Sequence, residues 1–378
     1  MDDRTGSERW VMDAGGLEDL VDALVDRFDD VIGPVLDDGV IRLAPIRSAD
    51  DLPVGVVDAH DAGSYRTEQT PAPDRFSYGP GPDSLKALVH PPTVPVWTMR
   101  RRDGRLLVDS ANVEPRQRAV VGVRSCDLAA LDVLDRTRTH GPHPDRDFAA
   151  RRAGLFVVAV DCSHPARTCW CRSMGHGPAA RGGFDLALTE LPVPGGLAVE
   201  YLVRAGSERG MELVDRLGLA TARTVHLRRA AEVVERAHHR FERSMPPDAR
   251  ASVMAADHPH WSEVADRCLT CGNCTAVCPT CFCTDVHDQV SLDGSTATRN
   301  QVWDSCFGTW YSTLGGRPHR GSAMSRYRQW LTHKLGTWHD QFGESGCVGC
   351  GRCVTWCPVG IDITAEVEAL RPRQEATS

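Results

Sequence analysis

The chain has 378 residues, 43 Lys+Arg against 51 Asp+Glu for a formal charge of −8, and 41% hydrophobic against 25% charged residues. That composition excludes wholesale disorder and suits a soluble globular protein of two or three domains. The acidic balance argues against a nucleic-acid partner, because neutralising phosphate wants a basic surface. Lys86 and Lys334 are the only lysines, which reads as a genomic preference for arginine codons. The opening MDDRTGSERW is polar where a secretory signal would be basic and then apolar. No apolar run approaches the roughly 20 residues that span a bilayer. A cytoplasmic location without direct membrane insertion is therefore expected.

In chain order, Leu17, Leu20, Val21, Leu24, Val25 and Phe28 recur at helical spacing after Gly15-Gly16, predicting an amphipathic helix. Pro71, Pro73, Pro80, Pro82, Pro91, Pro92 and Pro95 then crowd a section where regular structure should not run long. Ala119 to Val123 and Leu155 to Val160 read as buried neighbouring parallel strands, each ending near a cysteine, Cys126 and Cys162. Asp127 to Arg136 reads as a helix with Asp127 favouring its N-terminus. Strands follow at Phe184 to Leu191 and Leu197 to Val203, then a charged helix from about His226 to Met245, closed by Pro246-Pro247. The expected organisation is an α/β N-terminal domain over 1–250 and a mainly helical domain over 251–378.

Fifteen cysteines in a reducing compartment point to metal rather than disulfides. Their strongest pattern is Cys268-x-x-Cys271-x-x-Cys274-x-x-x-Cys278-Pro279, repeated as Cys347-x-x-Cys350-x-x-Cys353-x-x-x-Cys357-Pro358. Each is the bacterial spacing for a 4Fe-4S cubane, in which the fourth cysteine serves the other cluster. On that logic Cys268, Cys271, Cys274 and Cys357 hold one cube, and Cys347, Cys350, Cys353 and Cys278 the second, so 251–378 is expected to be an enlarged, mainly helical dicluster ferredoxin-like domain. Gly272, Gly349 and Gly351 relieve the tight turns between ligands. Zinc is the competing reading, but zinc sites favour paired cysteines across a longer loop. Cys274-x-x-x-Cys278-x-x-Cys281 also matches a radical-S-adenosylmethionine spacing, read as accidental because no succession of βα units follows it.

A third 4Fe-4S cluster is expected at Cys126, Cys162, Cys169 and Cys171, which converge outside the carboxyl ends of the sheet, with Asp127 or His164 as substitute ligands. Buried structural thiols are the competing reading. Cys281, Cys283 and Cys306 stay unassigned. Trp303, Trp310, Trp330, Trp338 and Trp356 flank the motifs and should shield the cubes. No G-x-G-x-x-G and no phosphate-binding loop occurs, and no catalytic residue is singled out.

These residues together resemble the beta subunit of cytoplasmic sulfhydrogenases, the NAD(P)-linked nickel–iron hydrogenases, and the related A subunit of anaerobic sulfite reductase. GVRSCDLAALDVLD, DCSHPARTCWC, CLTCGNCTAVCPTCFCTDVHD, the WDSC ending at Cys306, and CVGCGRCVTWCPVGIDI carry the likeness. The resemblance implies a non-catalytic subunit with 4Fe-4S clusters that moves electrons between a flavin- and NAD(P)-binding subunit and catalytic subunits. Those would be the small and large subunits of a nickel–iron hydrogenase, or alternatively sulfite reductase subunits.

Overall fold

The computed structural model describes residues 8–110, 116–193, 195–196 and 198–371. Its N-terminal half is built on an eight-stranded sheet in the order Ala220–Thr221, Trp10–Met12, Val199–Ala205, Leu186–Pro192, Leu155–Val160, Arg118–Val123, Asp30–Asp37, Val40–Pro45. The central pairs are parallel, as the apolar runs predict, with Val120 opposite Val157. Burial on both faces explains why those runs lack alternation. One face packs under the helix Ala14–Arg27 through Leu17, Leu20 and Leu24; the other packs under Leu128, Leu131 and Leu134.

Several boundaries differ from the sequence reading. Cys126 sits in the first turn of the helix Ser125–Thr139, not in a turn before it. The charged helix is Thr224–His238 and stops well short of Met245. The strand expected at Leu197 to Val203 runs Val199–Ala205, and Leu197 lies outside the described residues. Pro95 falls inside the strand Thr93–Arg102. It is tolerated because the pairing shifts register there, between Arg299 and Asn300 of the neighbouring strand, where a missing N–H costs no regular ladder bond.

The C-terminal half is not helical throughout. Thr284–Val290 and Thr296–Trp303 form an antiparallel four-stranded sheet with Thr93–Arg102 and Arg105–Ser110. Strands from both sides of residue 250 therefore share one sheet. The remainder is built from short helices around an aromatic core of Trp170, Trp261, Phe307, Tyr327 and Trp330, against which Cys268, Cys274, Cys347, Cys353 and Cys357 pack. The helix Ala323–Thr332 passes through a π turn, His333–Thr337, into Trp338–Phe342. Among the described residues no helix is long and apolar enough to cross a membrane.

Candidate iron–sulfur centre

All fifteen cysteines are free thiols. The two ferredoxin-type motifs fold into short turns that aim their sulfurs inward. Gly272, Gly349 and Gly351 all adopt positive φ (75°, 72° and 77°), the backbone that non-glycine residues resist. Gly272 and Gly351 each precede a single helical turn, Asn273–Ala276 and Arg352–Thr355, which carries the third cysteine of its motif.

Two voids result. The first is lined by Cys268, Cys271, Cys274 and Cys357 with apolar Phe307 and Ile361. The second is lined by Cys278, Cys347, Cys350 and Cys353 with Trp170 and Val348. These are the two sets expected from the exchange of fourth cysteines between motifs. Cys353 borders both voids, so the two sites stand back to back. Four thiols gathered in largely apolar walls, to which the second void adds Thr280 and Lys334, fit iron–sulfur clusters, since soft sulfur ligands select them and exclusion of water tunes them. Among the described residues no group of three or more His, Cys, Asp or Glu closes on a single ion.

Burial pushes the Cys347 thiol up to about 12. Cys278 goes the other way: the Cys281 thiol hydrogen-bonded to it, with Lys334 and Lys86 nearby, holds it well below its ordinary value against the effect of burial.

The N-terminal cysteines lie against the second site. Cys126 and Cys171 pack in one cluster with Cys350. The Cys169 thiol donates to the Cys350 carbonyl at 3.4 Å, and Trp170 N–H donates to the Gly349 carbonyl at 2.9 Å. Cys162 lies within electrostatic reach of Cys169 and Cys171. The two substitute ligands are engaged elsewhere. Asp127 pairs with Arg352 rather than capping its helix, and the His164 ring lies 3.1 Å from Ser163 Oγ in a polar cavity with Arg236 and Arg240.

A family model described as a 4Fe-4S dicluster domain matches residues 267–361, which include all eight ferredoxin-type cysteines. Sulfhydrogenase 2 subunit beta of Pyrococcus furiosus is 34% identical over 257 residues, covering 66% of this chain and 73% of that protein. The chain belongs to the sulfhydrogenase beta-subunit family. No solved structure matches it. As a sulfhydrogenase beta-type chain it is an iron–sulfur electron-transfer subunit, and the dicluster region is its 4Fe-4S part.

In this sulfhydrogenase beta-type chain Trp330 and Trp338 are buried near the motifs, whereas Trp310 is 71% exposed and shields nothing. Sequence reasoning missed Trp170, which lines the second void from the N-terminal half. It also missed Arg352, whose side chain is 2% exposed. An arginine between two motif cysteines carries no periodic signal that would mark it as buried.

Proposed function

We propose that this chain relays electrons between a flavin- and NAD(P)-binding subunit and the small and large catalytic subunits of a soluble, cytoplasmic nickel–iron hydrogenase of the sulfhydrogenase type. The observation that carries the reading is the pair of voids, each bordered by at least four cysteines, that share Cys353. Bound there, 4Fe-4S clusters supply one-electron carriers at potentials set by charge, hydrogen bonding and burial. Cys268, Cys271, Cys274 and Cys357 are assigned to the first cube, and Cys347, Cys350, Cys353 and Cys278 to the second. The first is the side that meets a partner: Cys271 is exposed, and Leu269 and Val359 beside it are exposed apolar residues.

Cys126, Cys162, Cys169 and Cys171 are assigned to a third cluster, supported by their convergence beside Cys350. On this reading residues 1–250 form the α/β part and 251–378 the dicluster part, joined through that contact.

The test is to tag the chain in its host, isolate its complex under argon, and measure nickel and sirohaem in one sample. Nickel without sirohaem is the expected result. Sirohaem without nickel would move the chain to sulfite reduction.

A further inference from the structure

Three thiols stand outside every set assigned above. Cys281 and Cys283 follow the first motif, and Cys306 follows the strand Thr296–Trp303. The two loops are tied by Asp304 N–H donating to the Cys283 carbonyl at 2.9 Å. Together with Tyr311, His333 and Lys334, the three cysteines line a cavity of about 240 Å³. Three thiols gathered around that much space are not ordinary core packing, in which sulfur fills a gap and no cavity remains.

Cations at and near the cavity point to an anionic occupant: Lys334 and Arg320 line it, and Lys86, outside the lining, lies within electrostatic reach of Cys281 and Cys283. Lys86 and Lys334 are the chain's only lysines, and both are buried, at 3% and 5% exposure. Lys334 Nζ donates to Thr280 Oγ1 at 2.7 Å; Lys86 Nζ donates to the Ala276 carbonyl at 2.9 Å and sits 3.8 Å from the Trp303 ring centroid. Among the described residues neither ammonium pairs with a carboxylate, and the acidic groups facing both are Cys278 and Cys281. Buried ammonium groups without a counter-charge are costly. Cysteine sulfurs bound to iron would supply one. The π turn His333–Thr337 carries both His333 and Lys334 into the wall, an irregularity concentrated at functional sites.

We propose that Cys281, Cys283 and Cys306 hold a further iron–sulfur cluster, with His333 facing its fourth corner. Thr280, Trp330 and Lys334 line both this cavity and the second ferredoxin void. A single layer of side chains therefore separates the two sites. One electron leaving the second cube oxidises that cube and reduces the further cluster, with no bond made or broken.

The test uses the full chain, reconstituted under argon with iron and sulfide, and compares the parent with Cys283→Ser and Cys306→Ser. Cys281 is left intact because it touches Cys278. Each variant is expected to lose about three to four iron atoms per chain and matching sulfide, while the electron paramagnetic resonance signals of the two reduced cubes persist. The comparison is a difference from the parent, so occupancy of the N-terminal set does not affect it. Parent iron content in both variants, or loss of one zinc without iron, would overturn the proposal. Where the serine variants fail to fold, His333→Ala decides: an altered resonance distinct from both cubes supports the site, and a spectrum identical to the parent's overturns it.

Discussion

Arg352 Nη1 stands 2.9 Å from Asp127 Oδ1, linking the residue between Cys350 and Cys353 to the residue after Cys126. The same guanidinium donates to the carbonyls of Gly81 and Asp83 at 2.7 and 2.9 Å. The second ferredoxin motif is thus bolted to the α/β sheet through one buried ion pair. Removing one partner leaves the other charged and unpaired, which costs about 3–5 kcal/mol. Asp127→Asn should therefore lower the melting temperature under argon and release iron from the second cube before the first. A melting temperature equal to the parent's would contradict this role.

Gly349 makes a second, steric link. Its φ is +72°, and a Cβ there would lie 2.6 Å from Cys171 Cα and N. The backbone strain alone is on the order of 1–3 kcal/mol, and rigid backbone atoms cannot yield to the clash. Gly349→Ala should abolish the second cube's resonance, whereas Gly182→Ala, where nothing lies within 4 Å of the added methyl, should leave it unchanged. Equal iron content in both variants would contradict the close approach.

Much of this was legible in the sequence because short-range pattern decides it. The runs Ala119 to Val123 and Leu155 to Val160 are continuous and β-branched, so buried parallel strands were predictable. The cysteine spacing likewise defined two sets of candidate ligands, and the fold gathers those cysteines around two voids. What escaped were contacts between distant segments. Nothing local tells that Arg352 seeks Asp127, that Trp170 walls the second void, or that the strand Thr296–Trp303 pairs with Thr93–Arg102. The two lysines illustrate the same limit: their rarity was visible, but only their burial beside Cys278 and Cys281 gives it meaning.

Lys334 bears on the potential of the second cube. Cys278, Cys281 and Cys347 together hold its ammonium well above the ordinary value although burial opposes them. Reduction adds negative charge, which a neighbouring cation stabilises. Lys334→Met should lower the second cube's midpoint potential in a redox titration followed by electron paramagnetic resonance. An unchanged or raised potential would contradict the assignment.

Glu190 gives a pH test of the N-terminal half. Burial pushes its carboxyl up to about 7 despite the Arg75 and Phe76 backbone N–H groups that it accepts. The folded chain then keeps a proton that the unfolded chain releases, so this group's contribution to stability falls as pH rises from about 4.5 to about 7. In Glu190→Gln that decline should disappear from the melting temperature measured across the window. A slope matching the parent's would show that the carboxylate is ionised throughout.

The central claim is that the ferredoxin-type cubes carry the electrons of the assembly. The most direct measurement is rapid-freeze electron paramagnetic resonance of the intact complex mixed with NAD(P)H, in the parent and in Cys350→Ala. Both cubes of the parent should be reduced within one turnover, and Cys350→Ala should lose the second cube's signal together with electron flow to the catalytic subunits. Full turnover in Cys350→Ala, or parent cubes that stay oxidised while the complex turns over, would contradict it.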